Sequence, residues 1–290
     1  MTKEKYLFEW LDEWLSAYAK HRVSSNTYDN YVWAVRKIKE IQEDVLLIDF
    51  LEIDAQNTLN KMALMGFAKS SIDKVRIVLR QSYNKAVCNH FALENPCENL
   101  FIPCYAKTKE ILPLTPSEQR AVEMACYEDF NGHLILFLLY TGLRRSELEC
   151  LEWPDYDEKR KRIYVRKSKT KSGVRAVPLL PICQAIIALQ PRINRYIFNS
   201  RFGTPVTDSV LKKTYLRIRR VTGVETLTNH VCRHTFATRL LECGAEPKAI
   251  AALLGHKNSV FTLNRYTAAQ DEHLKAQIQL LDSGNSFCNF

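Results

Sequence analysis

The sequence predicts a mainly helical chain of two domains, the second of which carries a small β-hairpin or sheet. Three observations point to this. Apolar residues recur at helical spacing through most of the 290 residues, strict alternation is confined to residues 162–166 and 174–179, and a polar stretch bracketed by Pro103 and Pro113 divides the chain. With 46% hydrophobic residues a chain of this length can bury a substantial core.

Residues 1–105 read as an all-helical domain. Leu7, Trp10, Leu11, Trp14, Leu15 and Tyr18 form one apolar face, and Ser24-Ser25-Asn26-Thr27 interrupts it. The pattern resumes at Tyr28, Tyr31, Val32, Val35 and Ile38, and again after Ser70-Ser71 with Ile72, Val75, Ile77, Val78 and Leu79 running toward Tyr83 and Val87. Trp10 and Trp14 fall on the apolar face and are expected in the core. Asn95-Pro96 closes the region, because a residue before proline avoids the helical basin.

Residues 106–114 read as a linker, and residues 115–290 as the second domain. Thr115-Pro116-Ser117-Glu118 announces its first helix: a threonine cap, proline in the first turn, and glutamate three residues after the cap. A buried helix over residues 133–140 ends at Thr141-Gly142, and another begins within residues 143–148. The two alternating stretches then form a hairpin turning near Ser172-Gly173. Further helices follow near residues 182–189, from about Asp208, and over residues 247–254, where Pro247 suits a first turn and Gly255 an end. Ser259 can cap a short helix leading to Tyr266, and Leu274, Ile278 and Leu281 mark a last amphipathic segment.

A formal net charge of +9 favours polyanionic partners, but with 32 acids present the excess has to be local to matter. From Lys159 to Arg175 the chain places Arg160, Arg162, Lys167, Lys169, Lys171 and other cations with no acid between them. Lys212, Lys213 and Arg217 form a second basic stretch. Both runs fit either a solvated face or a nucleic-acid surface. The nine cysteines are scattered, with no C-x-x-C pair, as expected of reduced intracellular thiols. No apolar signal core opens the chain, and the run from Leu134 to Tyr140 is too short to span a bilayer, so a cytoplasmic location is expected.

The chemistry concentrates in residues 230–266. His230 and Arg233 stand three apart and share a helix face, His256 follows a helix stop, and Tyr266 lies ten residues beyond. A phenol, with an ordinary pKa of about 10, becomes a useful nucleophile only where cations favour the phenolate. Upstream, Thr141-Gly142-Leu143-Arg144-Arg145-Ser146-Glu147-Leu148 sets another arginine beside a turn glycine.

In this order the two motifs resemble the two boxes of the tyrosine recombinases, the family of phage integrases and Xer-type resolvases: Thr-Gly-Leu-Arg-x-Ser-Glu-Leu, then His-x-x-Arg, Leu-Gly-His and Tyr. The resemblance covers essentially the whole chain and implies a helical core-binding domain ahead of an α+β catalytic domain. It departs at Asn229, where the family often carries proline, and at Val231-Cys232.

The resemblance implies a catalytic set of Arg144, Lys169, His230, Arg233, His256 and Tyr266, with Glu147 in support. Lys169 is the best match to the family's hairpin lysine, Lys167 and Lys171 lying within a shift of register. The implied reaction is site-specific DNA cleavage and rejoining through a 3′-phosphotyrosyl ester on Tyr266, with no cofactor. Arg160, Arg162, Lys167, Lys171, Arg175, Lys212, Lys213 and Arg217 are the expected DNA contacts. The implied partners are double-stranded DNA carrying recombination sites, a second protomer on one site, a homotetramer on the recombining DNA, and accessory DNA-bending or directionality proteins, in a nucleoid-associated setting.

A protein of the same fold that only binds DNA is opposed by the presence of Tyr266. A type IB topoisomerase shares the chemistry but needs no specific site. A zinc site on His230, Cys232, His234 and Cys243 lacks ligands at a recognisable spacing. No glycine is followed by lysine, which excludes the usual P-loop.

Overall fold

The computed structural model describes residues 4–108, 110–166, 173–200 and 202–255. The chain divides into two compact units, Met1–Glu110 and Ile111–Phe290, with the boundary inside the polar stretch at 106–114.

The first unit is helical. Helix α1, Leu7–Trp14, buries Leu7, Trp10, Leu11 and Trp14 along one stripe. It widens into a π-helical turn, Leu15–Ala19, and finishes with Lys20–Arg22. Helices α2 (Ser25–Ile41), α3 (Glu52–Leu64) and α4 (Lys69–Cys88) complete the unit. Trp10 and Trp14 are core residues, 1% and 3% exposed. The Trp10 indole N–H donates to the Ser82 carbonyl at 3.1 Å, which lets so large a polar ring be buried. Ala106 is buried and Lys107 pairs with Ala68, so these residues belong to the first unit's fold.

In the second unit, Leu114 is buried and its N–H donates to Thr235 Oγ1 at 2.9 Å. Helix α5, Pro116–Glu128, starts with the expected capping box: Thr115 Oγ1 accepts from the Glu118 N–H, and Glu118 accepts from the Thr115 N–H. Helix α6, Gly132–Thr141, is apolar on nearly every side, and such a helix has to be enclosed. Leu134, Ile135, Phe137 and Leu138 are fully buried, and α5 packs against α6 together with the later helices over Pro181–Ala188, Asp208–Thr222 and Asn229–Glu242.

Helix α7 is short, Arg145–Glu149. The sheet has three antiparallel strands in the order β1 (Tyr156–Asp157), β2 (Arg162–Val165), β3 (Arg175–Pro178), with Val165 opposite Arg175. Helices α8 (Pro181–Ala188), α9 (Asp208–Thr222), α10 (Asn229–Glu242) and α11 (Pro247–Leu254) follow. Among the described residues no helix is long and apolar enough to cross a membrane.

Candidate active site

Three segments that are distant in sequence meet at the C-terminal end of α11. A helix leaves its last carbonyls without intrahelical donors and carries partial negative charge there, so it attracts cations. Gly255 ends α11 in the left-handed region, φ 67°. The Gly255 carbonyl accepts from Arg144 Nη2 at 3.3 Å, and the Leu254 carbonyl accepts from Arg233 Nη2. The Leu253 carbonyl accepts from Arg175 Nε at 2.5 Å. Guanidiniums from the N-cap of α7, from α10 and from β3 thus sit on three consecutive carbonyls.

Arg233 is buried, 6% exposed, and its Nη1 also donates to the Gly142 carbonyl at 2.7 Å. That bond joins the second motif to the first, because Gly142 is the C-cap of α6 and stands two residues before Arg144. Arg144 keeps about a third of its side chain exposed, so it faces outward where Arg233 does not.

Glu147 is the anion beneath this group. Its carboxylate accepts from Arg144 Nη1 at 2.8 Å, from the Arg144 backbone N–H at 2.9 Å, and from Arg175 Nη1 and Nη2 at 3.1 and 2.9 Å. Only 2% of its side chain is exposed. Burial by itself would raise its pKa, but the hydrogen bonds and charge of Arg175 and the bonds from Arg144 outweigh this and hold the carboxyl below its ordinary value. Glu147 therefore stays ionised and orients two guanidiniums.

Arg175, read from the sequence as a DNA-facing cation, instead turns inward: its side chain is 6% exposed. A run of like charge says nothing about which residue turns in, and only the pairing with Val165 fixes the direction here. Arg217 is also committed within the fold, bonded to both carboxylate oxygens of Asp129 and stacked over Phe130. Arg160 is exposed beside Asp157, Lys212 is exposed and paired with Asp208 at 2.8 Å, Lys213 is exposed, and Arg162 is half-buried over the Tyr164 ring. His230 lies exposed on the first turn of α10, and Thr228 caps that helix. Lys167, Lys169, Lys171, His256, Tyr266 and the segment with Leu274, Ile278 and Leu281 lie outside the described residues. Of the zinc set, Cys232 is buried with Sγ 3.8 Å from Tyr215 Oη, whereas Cys243 is exposed beyond α10.

Gly142 is required twice over. Its φ of 62° disfavours other residues, and an added Cβ would lie 2.5 Å from Phe236 Cδ1 and 2.9 Å from Leu254 Cδ2. Gly142→Ala is therefore expected to push α10 and α11 off α6 and to lower stability by about 1–3 kcal/mol, read as a lower thermal midpoint.

The phage integrase family model matches residues 113–273, more than half of the chain. A relative described as tyrosine recombinase XerC-like, from Caldanaerobacter subterraneus subsp. tengcongensis, is 29% identical over 267 residues, covering 74% of this chain and 66% of that protein, just under two thirds of its length. The Tn1549 transposon integrase, solved in complex with a circular intermediate DNA, is 23% identical with a TM-score of 0.77, over 94% of this chain and 98% of that one. A lambda integrase dimer bound to a COC′ core site matches with a TM-score of 0.76 at 22% identity, over 91% of this chain and 78% of that one. These structural likenesses establish the fold, a helical unit followed by an α+β unit of the integrase type. With the family model spanning the motifs around Arg144 and Arg233, the chain belongs to the phage integrase family, the tyrosine recombinases.

Proposed function

We propose that the chain is a site-specific DNA recombinase that cleaves and rejoins DNA through a 3′-phosphotyrosyl ester on Tyr266. The observation that carries this reading is the meeting of Arg144 and Arg233 on consecutive carbonyls at the end of α11, directly before His256 in the sequence. Two planar guanidiniums held in one place can each donate to the non-bridging oxygens of a single phosphodiester. Charge grows on those oxygens as phosphorus becomes five-coordinate. Donors already oriented by Glu147, Gly142 and Leu254 then stabilise the transition state more than the ground state.

In this mechanism the Tyr266 oxygen attacks phosphorus, forming the tyrosine–phosphorus bond as the bond to the 5′-oxygen breaks. His230 accepts the phenol proton, Lys169 gives a proton to the departing 5′-oxygen, and His256 donates to the phosphate. The ester retains the energy of the broken bond, so a 5′-hydroxyl can reverse the step without nucleotide hydrolysis. Arg160, Arg162, Lys167, Lys171, Lys212 and Lys213 are the cations assigned to the DNA backbone. The first unit is assigned to core-site binding, with two protomers on one site and four on the recombining DNA.

The test is covalent capture from a library of nicked duplexes with a randomised centre, incubated with the full chain and washed in denaturant. Enrichment of a defined sequence in the protein-linked fraction is the expected result. Duplex retained only under native conditions supports a protein that binds without cleaving, and relaxation of any supercoiled plasmid with no enriched sequence supports a topoisomerase. Because phosphate contacts release counterions, affinity for the captured duplex is expected to fall steeply between 50 and 200 mM salt, by about 10³–10⁵ for about six to ten contacts, measured by gel shift.

A further inference from the structure

Arg144 occupies the N-cap of α7 with extended backbone, φ −72° and ψ 151°. The direction in which its side chain leaves the chain therefore depends on the peptide groups on either side of it. One side chain from the other motif holds both. Asn229 Oδ1 accepts from the Arg145 N–H at 2.9 Å, and Asn229 Nδ2 donates to the Leu143 carbonyl at 3.1 Å.

These two bonds need an acceptor and a donor on one small planar group, which a carboxamide supplies and a carboxylate or an apolar side chain does not. They also fix which way the amide faces. Arg144's own N–H goes to Glu147. The backbone on both sides of Arg144 is thus pinned, and the pin is the first residue of α10, the helix that carries His230 and Arg233. Asn229 is also where the chain departs from the family pattern, and proline there could make neither bond.

From this geometry we infer that Asn229 is a positioning residue: by clamping Leu143 and Arg145 to the start of α10 it aims Arg144 at the scissile phosphate. The inference rests on the reading of Arg144 as a phosphate ligand. Asn229 touches no reacting atom in it, and it acts only through the residue between its two partners.

The experiment compares single-turnover cleavage of the captured duplex in two forms, one with an ordinary scissile phosphate and one with a methylphosphonate there. The methyl group replaces a charged non-bridging oxygen, so the second form needs less neutralisation by a guanidinium. Asn229→Leu is expected to slow cleavage of the phosphate by more than about tenfold and to come within about threefold of wild type on the methylphosphonate, the same pattern being expected of Arg144→Ala. A structural role would lower both substrates alike, and that result, or an unchanged rate on the phosphate, overturns the inference.

Thermal unfolding reports whether Asn229→Leu is folded. If it is not, Asn229→Asp, which keeps the acceptor for Arg145 but loses the donor to Leu143, carries the same comparison with the same expectation. A wild-type chain that forms no adduct, or an Arg144→Ala chain that cleaves both forms normally, overturns the proposed function and this inference together. Failure of the Asn229 variants alone leaves the function standing.

Discussion

Arg233→Ala is expected to form the covalent DNA adduct about 10²–10³-fold more slowly than the wild type, a loss of about 2.7–4 kcal/mol of transition-state stabilisation. The size follows from where the guanidinium sits. It is buried, and its Nη1 and Nη2 bonds to the Gly142 and Leu254 carbonyls set its plane before substrate arrives. A preorganised donor in a place with little water needs no reorientation as charge builds on the phosphate. Single-turnover cleavage with protein in excess measures the loss directly, and gel-shift affinity for the same duplex is expected to change by less than about tenfold, because many other cations contribute to binding. Arg233→Lys keeps the charge but cannot bridge the same two carbonyls with one rigid plane, so it is expected to stay impaired.

Glu147→Ala is expected to destabilise the second unit by about 3–5 kcal/mol, because it leaves the buried Arg175 guanidinium without its anion. For a unit of this size that corresponds to a fall of roughly 10 °C in the thermal midpoint. Cleavage also suffers, since Arg144 Nη1 loses the partner that orients it.

The pH dependence has a definite sign. Arg175 and Arg144 hold the Glu147 carboxyl below its ordinary value of about 4.3, so this stabilisation is fully present above that value and is lost as pH falls through the lower folded-state value. Thermal midpoints of wild type and Glu147→Gln are therefore expected to differ most near neutrality and to converge as pH falls through that lowered folded-state value. A difference independent of pH would show that the stabilisation does not come from the ionised carboxylate.

The parts of this fold legible in the sequence were those with a local cause. Thr115 and Glu118 form a capping box because both partners lie within one turn, and Gly142 and Gly255 end helices because each takes a positive φ. The two strands of the hairpin follow from alternation, whereas the register that sets Val165 opposite Arg175 is visible only in the structure. Helix α3 leaves no clear signal in the sequence, and its surface explains why. Ile53 and Leu64 are 64% and 77% exposed while Thr58 is fully buried, so the apolar pattern does not mark the inner face. Strand β1, two residues long, gives no periodicity to read.

In the candidate site, the sequence motifs named Arg144, Glu147 and Arg233, whose spacing is local to each box. What it could not supply was which side chains from elsewhere complete the group. Arg175 belongs to a basic run whose inward and outward members look alike until the strand register is known. Asn229 looked like a mere departure from a pattern, because the partners that give it a role, Leu143 and Arg145, lie more than eighty residues away.

The most direct measurement of the central claim is mass-spectrometric mapping of the adduct formed with the captured duplex, after digestion with trypsin and nuclease. Cleavage after Arg265 and Lys275 releases residues 266–275, beginning with Tyr266. The account predicts a nucleotide joined through its 3′-phosphate to Tyr266 in that peptide, with a free 5′-hydroxyl on the departing strand. A nucleotide on any other residue, or one joined through a 5′-phosphate, would contradict it.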